Sequence, residues 1–217
     1  MSALASAALI LVLISFLLWF ALGTQRNIRR GDRILKWLQG GLPILGRRTT
    51  VRWLGSTAVE LNIVEPRAPF REVGAVVVLE ARDLGWLWAL GRSRGRRDFL
   101  ILRGRLERSP SFELEAGDPA GWTGKDRLAR LDPEAWLRDE WGAIHVAHSF
   151  GADIGTSKRF WDDISALSGG VWRMSVRRDA PHIEVHVRPP DLGAEAAEPL
   201  FEKFRDLATS VMRNESG

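Results

Sequence analysis

The sequence contains no cysteine and no tyrosine, three methionines and four histidines, and its lysines stand only at positions 36, 125, 158 and 203. Without cysteine, disulfide cross-links and thiolate chemistry are excluded, and the absence fits a reducing compartment. Arginine therefore carries nearly all the basic charge, and its planar guanidinium suits phosphate and carboxylate recognition. A compositional bias of the coding sequence would give the same excess. The chain also lacks an internal repeat and a long low-complexity run. The first basic side chain comes only after an extended apolar stretch.

That stretch, Ala3 to Leu22, has neither a charged residue nor a proline. As a helix it would rise about 1.5 Å per residue and cover roughly the 30 Å of a hydrocarbon core. Its polar side chains, Ser6 and Ser15, can bond back to their own helix, while Trp19 and Phe20 fall where aromatic rings favour the headgroup level. Arg26, Arg29, Arg30, Arg33 and Lys36 follow at once, opposed only by Asp32. By the positive-inside rule the N-terminus is expected outside and the body in the cytoplasm, as a single-pass protein of the cell membrane. A cleaved signal peptide is the competing reading, since Ala21-Leu22-Gly23 is a small-x-small triplet. Against it stand the missing basic n-region, the length of the apolar run and the basic cluster behind it. A buried helix of a soluble protein would need a polar face, and this run has none.

The whole chain is 45% hydrophobic and 27% charged, the balance of a folded rather than a disordered protein. Its pI of 10.2 is carried mainly by the first half, which points a basic side toward anionic lipid. Residues 1–24 are expected to be the anchor and residues 25–48 a basic juxtamembrane connector. In the connector Ile28, Ile34, Leu35, Trp37 and Leu38 alternate with basic residues as in a short interfacial helix, which Gly40-Gly41 and Pro43 would end. Residues 49–118 read as an antiparallel meander of about five strands. The first two, 49–54 and 57–64, turn at Gly55-Ser56. The third is 73–81, and the last two, 99–107 and 111–116, pair around Ser109-Pro110. Residues 119–217 read as an α+β half: a turn at 121–126, a helix from the capping Asp132 to about Trp141, a strand over 143–149 and a helix over 157–167. A hairpin, 171–177 with 182–188, and a helix over 198–213 with a continuous apolar stripe complete it. The fold class is thus α+β behind one transmembrane helix, with the Gly-rich stretch at 117–124 as the natural internal boundary.

Two motifs fail on context. Gly91-Arg92-Ser93-Arg94-Gly95 matches a nucleophile elbow, but a strand rather than a helix is expected after it. Residues 121–126 resemble a phosphate loop in outline, yet Pro119 stands where a glycine is needed and Asp126 where a hydroxyl is needed. The acid pairs Asp139-Glu140 and Asp162-Asp163 would point about 100° apart on helices and share no proton. Glu80, Asp83 and Asp98 are expected to pair with Arg82, Arg96 and Arg97 at the surface.

Two clusters remain. Trp86 and Trp88, followed by Arg92, Arg94, Arg96 and Arg97, would form an aromatic loop with an arginine flank, suited to anionic lipid headgroups. Core packing of the two tryptophans is the plainer alternative. His182, Glu184 and His186 alternate and would share one strand face, a plausible zinc set in kind, although no closing ligand can be named. The plainer reading buries Ile183, Val185 and Val187 and leaves the alternate face to solvent. The arginines form no stripe matching a nucleic-acid-binding signature, which argues against that partner. The sequence thus favours a membrane-anchored cytoplasmic binding or scaffolding module. It would contact anionic lipid and a membrane-protein partner, with no catalytic residue and no cofactor. The alternative is a membrane-tethered, metal-dependent enzyme built on the His182, Glu184 and His186 face.

Overall fold

The apolar start of the chain does not stop at the basic cluster. In the computed structural model, which describes residues 3–119, 131, 136–190, 192 and 196–213, one helix, α1, runs without interruption over Ala3–Leu45. The expected stop at Gly40-Gly41 is absent, and Pro43 is accommodated in the last turn. Tertiary packing overrides the local breakers. Buried residues recur along α1 at Gly23, Asn27, Gly31, Ile34, Leu38, Leu42 and Leu45, a single stripe at helical spacing. Small residues in that stripe permit close approach. A Cβ at Gly23 would lie 2.2 Å from the Arg82 carbonyl oxygen, and one at Gly41 would lie 2.1 Å from the Phe201 ring. The first part of α1 behaves differently: its most apolar window has a mean hydropathy of 2.6, and none of it is buried.

The described residues form an α+β fold of four helices and nine strands. After α1 come β1 (Gly46–Trp53), β2 (Ala58–Pro66) and β3 (Phe70–Val78), then the short helix α2 (Gly85–Ser93) and β4 (Phe99–Leu106). Next are β5 (Leu114–Gly117), β6 (Leu137–Trp141), β7 (Ile144–His148) and α3 (Ile154–Ala166). The chain closes with β8 (Val171–Val176), β9 (Ile183–Val187) and α4 (Glu198–Arg213). The nine strands make one antiparallel sheet in the order β1-β2-β3-β4-β9-β8-β5-β7-β6. Gly55, with a positive φ of 72°, carries the β1–β2 turn as the Gly-Ser signal predicts.

Two expectations change at this level. The meander ends at β4: β5 does not pair with it but lies between β8 and β7, and β9 takes the place beside β4. Residues 137–141, expected to end a helix, form the edge strand β6 paired with β7. The expected turn at 121–126 and the expected helix start at Asp132–Glu134 lie outside the described residues.

One face of the sheet meets the helices. Leu61, Ala75, Leu102 and Val185 sit opposite one another across β2, β3, β4 and β9. They pack with Ile34 and Leu38 of α1, Ile164 of α3, and Phe201 and Phe204 of α4. Phe204 also stacks on Phe70 at 5.5 Å. Asp153 caps α3, its carboxylate accepting from the Thr156 amide at 2.9 Å.

Candidate functional site

The connection from β3 to β4 lies beside α1 at the end of the apolar run. Leu and Ala favour helix here and no β-branched residue opposes it, so the expected loop is instead the helix α2. It seats closely on α1: a Cβ at Gly85 would lie 2.8 Å from the Trp19 indole. The two tryptophans of α2 separate. Trp86 is 69% exposed, and Leu90 is exposed beside it. Trp88 turns inward, its indole N–H donating to Glu80 at 2.5 Å, with the Arg92 guanidinium 5.7 Å from its ring centroid.

The arginines after α2 also divide. Arg92 lies 3.4 Å from Glu80. Arg97 donates to the carbonyls of Arg92 and Arg96, closing the end of the helix. Arg94 is exposed and Arg96 half-buried.

Behind α2 the acids expected at the surface are buried. Asp83 accepts from the Ser56 hydroxyl at 2.6 Å. Asp98 is 8% exposed and accepts from both terminal nitrogens of Arg82 at 2.9 Å, from Arg30 of α1 at 3.2 Å and from the Glu80 amide. Burial alone would raise the Asp98 carboxyl, but these hydrogen bonds and the Arg82 charge outweigh it and hold it below its ordinary value. Arg82 reaches further, donating to Asn27 of α1 at 3.1 Å. The cross-link fixes α1 to the β3–β4 connection.

A cleft of about 570 Å³ opens here. Arg26, Arg29, Arg30 and Arg33 of α1 line it together with Arg82 and Arg97. Arg188 also lines it, its guanidinium over the Trp172 ring at 5.4 Å.

The second cluster lies on the sheet face away from the main helical core. His186 Nε2–H donates to Glu184 at 2.9 Å, and Arg173 bridges Glu184 at 3.1 Å and Glu115 at 3.2 Å. Arg177 adds a bond to Glu115 at 2.6 Å. Burial would raise the Glu184 carboxyl; the His186 hydrogen bond and the charges of His186, Arg173 and Arg177 instead lower it to about 2. The alternate face of β9 is therefore not left to solvent: His186 is 4% exposed, and Ser175, opposite Glu184 on β8, is fully buried. His182 stands apart. Its Nδ1 accepts from the Leu106 amide at 3.0 Å, and burial, with Arg105 nearby, lowers its pKa. Glu184 and His186 thus meet, while His182 is committed elsewhere. Among the described residues no group of three or more His, Asp or Glu side chains is placed to hold a metal ion.

Sequence reasoning anticipated the pairing of Arg82 with Asp98 and Glu80, but it missed its burial, the Arg30 arm that ties it to α1, and Glu115 and Arg173. Glu115 does alternate with Leu114 and Ala116, which signals its face but not its burial. Compared with known proteins, the chain matches no family model and no curated sequence.

Proposed function

We propose that this chain is a single-pass membrane-anchored binding module whose body rests on anionic lipid headgroups. In this reading residues 3–22 of α1 cross the bilayer, the N-terminus lies outside, and the α+β body sits at the cytoplasmic leaflet. The observation that carries the reading is the seat of α2 against Trp19. It sets α2 level with the end of the apolar run, so Trp86 and Leu90 face outward at the depth where aromatic rings favour the interface. Arg92 and Arg94 then stand near lipid phosphates, each basic residue contributing about 1 kcal/mol near an anionic surface. The anchor supplies the effective concentration that makes so small a contact useful, and it holds the body where a partner in the same membrane can meet it. Retention of the anchor is supported by the continuity of α1 through Ala21-Leu22-Gly23 and by Gly23 packing on the Arg82 backbone.

The cysteine-free chain allows one thiol to be placed at will. A nitroxide at Trp86→Cys, in the full chain reconstituted in vesicles containing phosphatidylglycerol, should be more accessible to oxygen than to a water-soluble nickel chelate. A nitroxide at Ser111→Cys, beyond the other end of β4, should show the reverse. Equal access to the chelate at both positions overturns the interfacial role of α2.

A further inference from the structure

Arg26, Arg29, Arg30 and Arg33 recur at helical spacing along one side of α1, next to its buried stripe. Like charges at these spacings destabilise a helix unless a counter-charge is supplied. Arg30 has one in Asp98. Among the described residues Arg26, Arg29 and Arg33 have no carboxylate partner, and all three are exposed to the same cleft. The cleft holds seven arginines against two carboxylates, and both carboxylates are engaged: Asp98 by Arg82 and Arg30, Glu80 by Trp88, Arg82 and Arg92. The acids therefore position part of the arginine set and leave the rest open to a ligand from outside.

We infer that this cleft binds one dianionic phosphate group. Arg26, Arg29 and Arg33 supply the open wall, and Arg82, fixed by Asp98, the floor. Guanidinium forks match phosphate oxygens two at a time, which a ring of lysines would not do. A volume of about 570 Å³ admits a phosphorylated headgroup rather than a bare ion alone. On the membrane-anchored reading above, on which the lipid source depends, the cleft begins at Arg26, about 10 Å along the helix from Trp19. A phosphomonoester lipid could then enter sideways without leaving its leaflet.

The test uses the full chain in two settings. In neutral detergent, inorganic phosphate is titrated calorimetrically. In nanodiscs of phosphatidylcholine with a few per cent phosphatidic acid or phosphatidylglycerol, lipids retained by the chain are counted by native mass spectrometry. One saturable phosphate-bearing ligand per chain is expected, weakened at least about tenfold in Arg29→Gln/Arg33→Gln and less in Arg29→Lys/Arg33→Lys, which keeps charge but not the fork. Among the described residues Arg29 and Arg33 make no ion pair, so neither variant should lower the melting temperature, and the lysine variant serves if the glutamine variant does not. Retention of phosphatidic acid over phosphatidylglycerol assigns the ligand to lipid; binding in detergent alone assigns it to soluble phosphate and leaves the cleft standing even if the anchor reading fails. Binding equal in wild type and variants, or no saturable binding in either setting, overturns the inference.

Discussion

Glu184 lies 19% exposed on the sheet face opposite the main core, between Arg173 and His186. Its carboxyl titrates near 2 when folded, against 4.5 as its ordinary value. A depressed folded pKa stabilises the fold above the unfolded value and ceases to do so as pH falls through the folded one. The contribution is roughly 3 kcal/mol at neutral pH, taking about 1.4 kcal/mol per unit. Glu184→Gln should therefore lower the stability of the full chain in detergent at pH 7, and the two unfolding curves should converge as pH falls from 5 toward 2. Parallel curves across that range would show that the ion network does not act on Glu184. The shared face of Glu184 and His186 was legible in the sequence from simple alternation. Their burial was not, because it comes from distant side chains: Phe99 of β4 stacks on His186 at 6.0 Å, and Trp172 of β8 meets Phe99 edge-on.

At the scale of elements, α1 carries two adjacent glycines with opposite roles. Alanine is favoured over glycine in a helix by about 1 kcal/mol. At Gly40 a Cβ would meet only the carboxylate end of Glu198, at 2.7 Å, which can swing away. At Gly41 it would meet the fully buried Phe201 ring, which cannot. Gly40→Ala should leave the melting temperature unchanged or raised, whereas Gly41→Ala should destabilise by about 1–3 kcal/mol through overpacking. Equal effects at the two sites would mean that α1 is not docked on α4. The same residues explain why the expected helix end failed: Gly-Gly and Pro are stop signals only where no neighbour rewards continuation. The strand at 137–141 follows the same logic. Leu137-Arg138-Asp139-Glu140 suits a helix by propensity, but β7 offers a free edge, and charged residues are what an edge strand tolerates. Elements fixed by local patterns, such as the Gly55 turn, the β8–β9 hairpin and α4, were legible with small shifts at their ends.

For the molecule as a whole, strands from the two halves of the sequence interleave in one sheet, an arrangement no local pattern encodes. Apolar runs and turn signals identified β1 to β5 as strands; they could not tell that β5 would leave β4 for a seat between β8 and β7. The apolar character of the N-terminal helix was legible from composition, and its orientation is open to direct measurement. The intact mass of the membrane-bound chain should include residues 1–23. A membrane-impermeant thiol reagent should label Ser2→Cys on whole cells and Ser111→Cys only after permeabilisation. Recovery of a soluble form beginning near Thr24 would remove the anchor and the lipid source of the cleft ligand together.

Because α1 has no hinge between its lipophilic part and the part that packs into the core, the body cannot pivot freely on its stalk. A bilayer thinner than the apolar run makes such a helix lean. If α1 spans the bilayer as proposed, then with Gly23, Gly31 and Gly41 holding its lower half to the body, that lean would become a rocking of the entire sheet. The rocking would press α2 toward the lipid surface or lift it clear, and bilayer thickness would then govern how far the arginine cleft faces the leaflet.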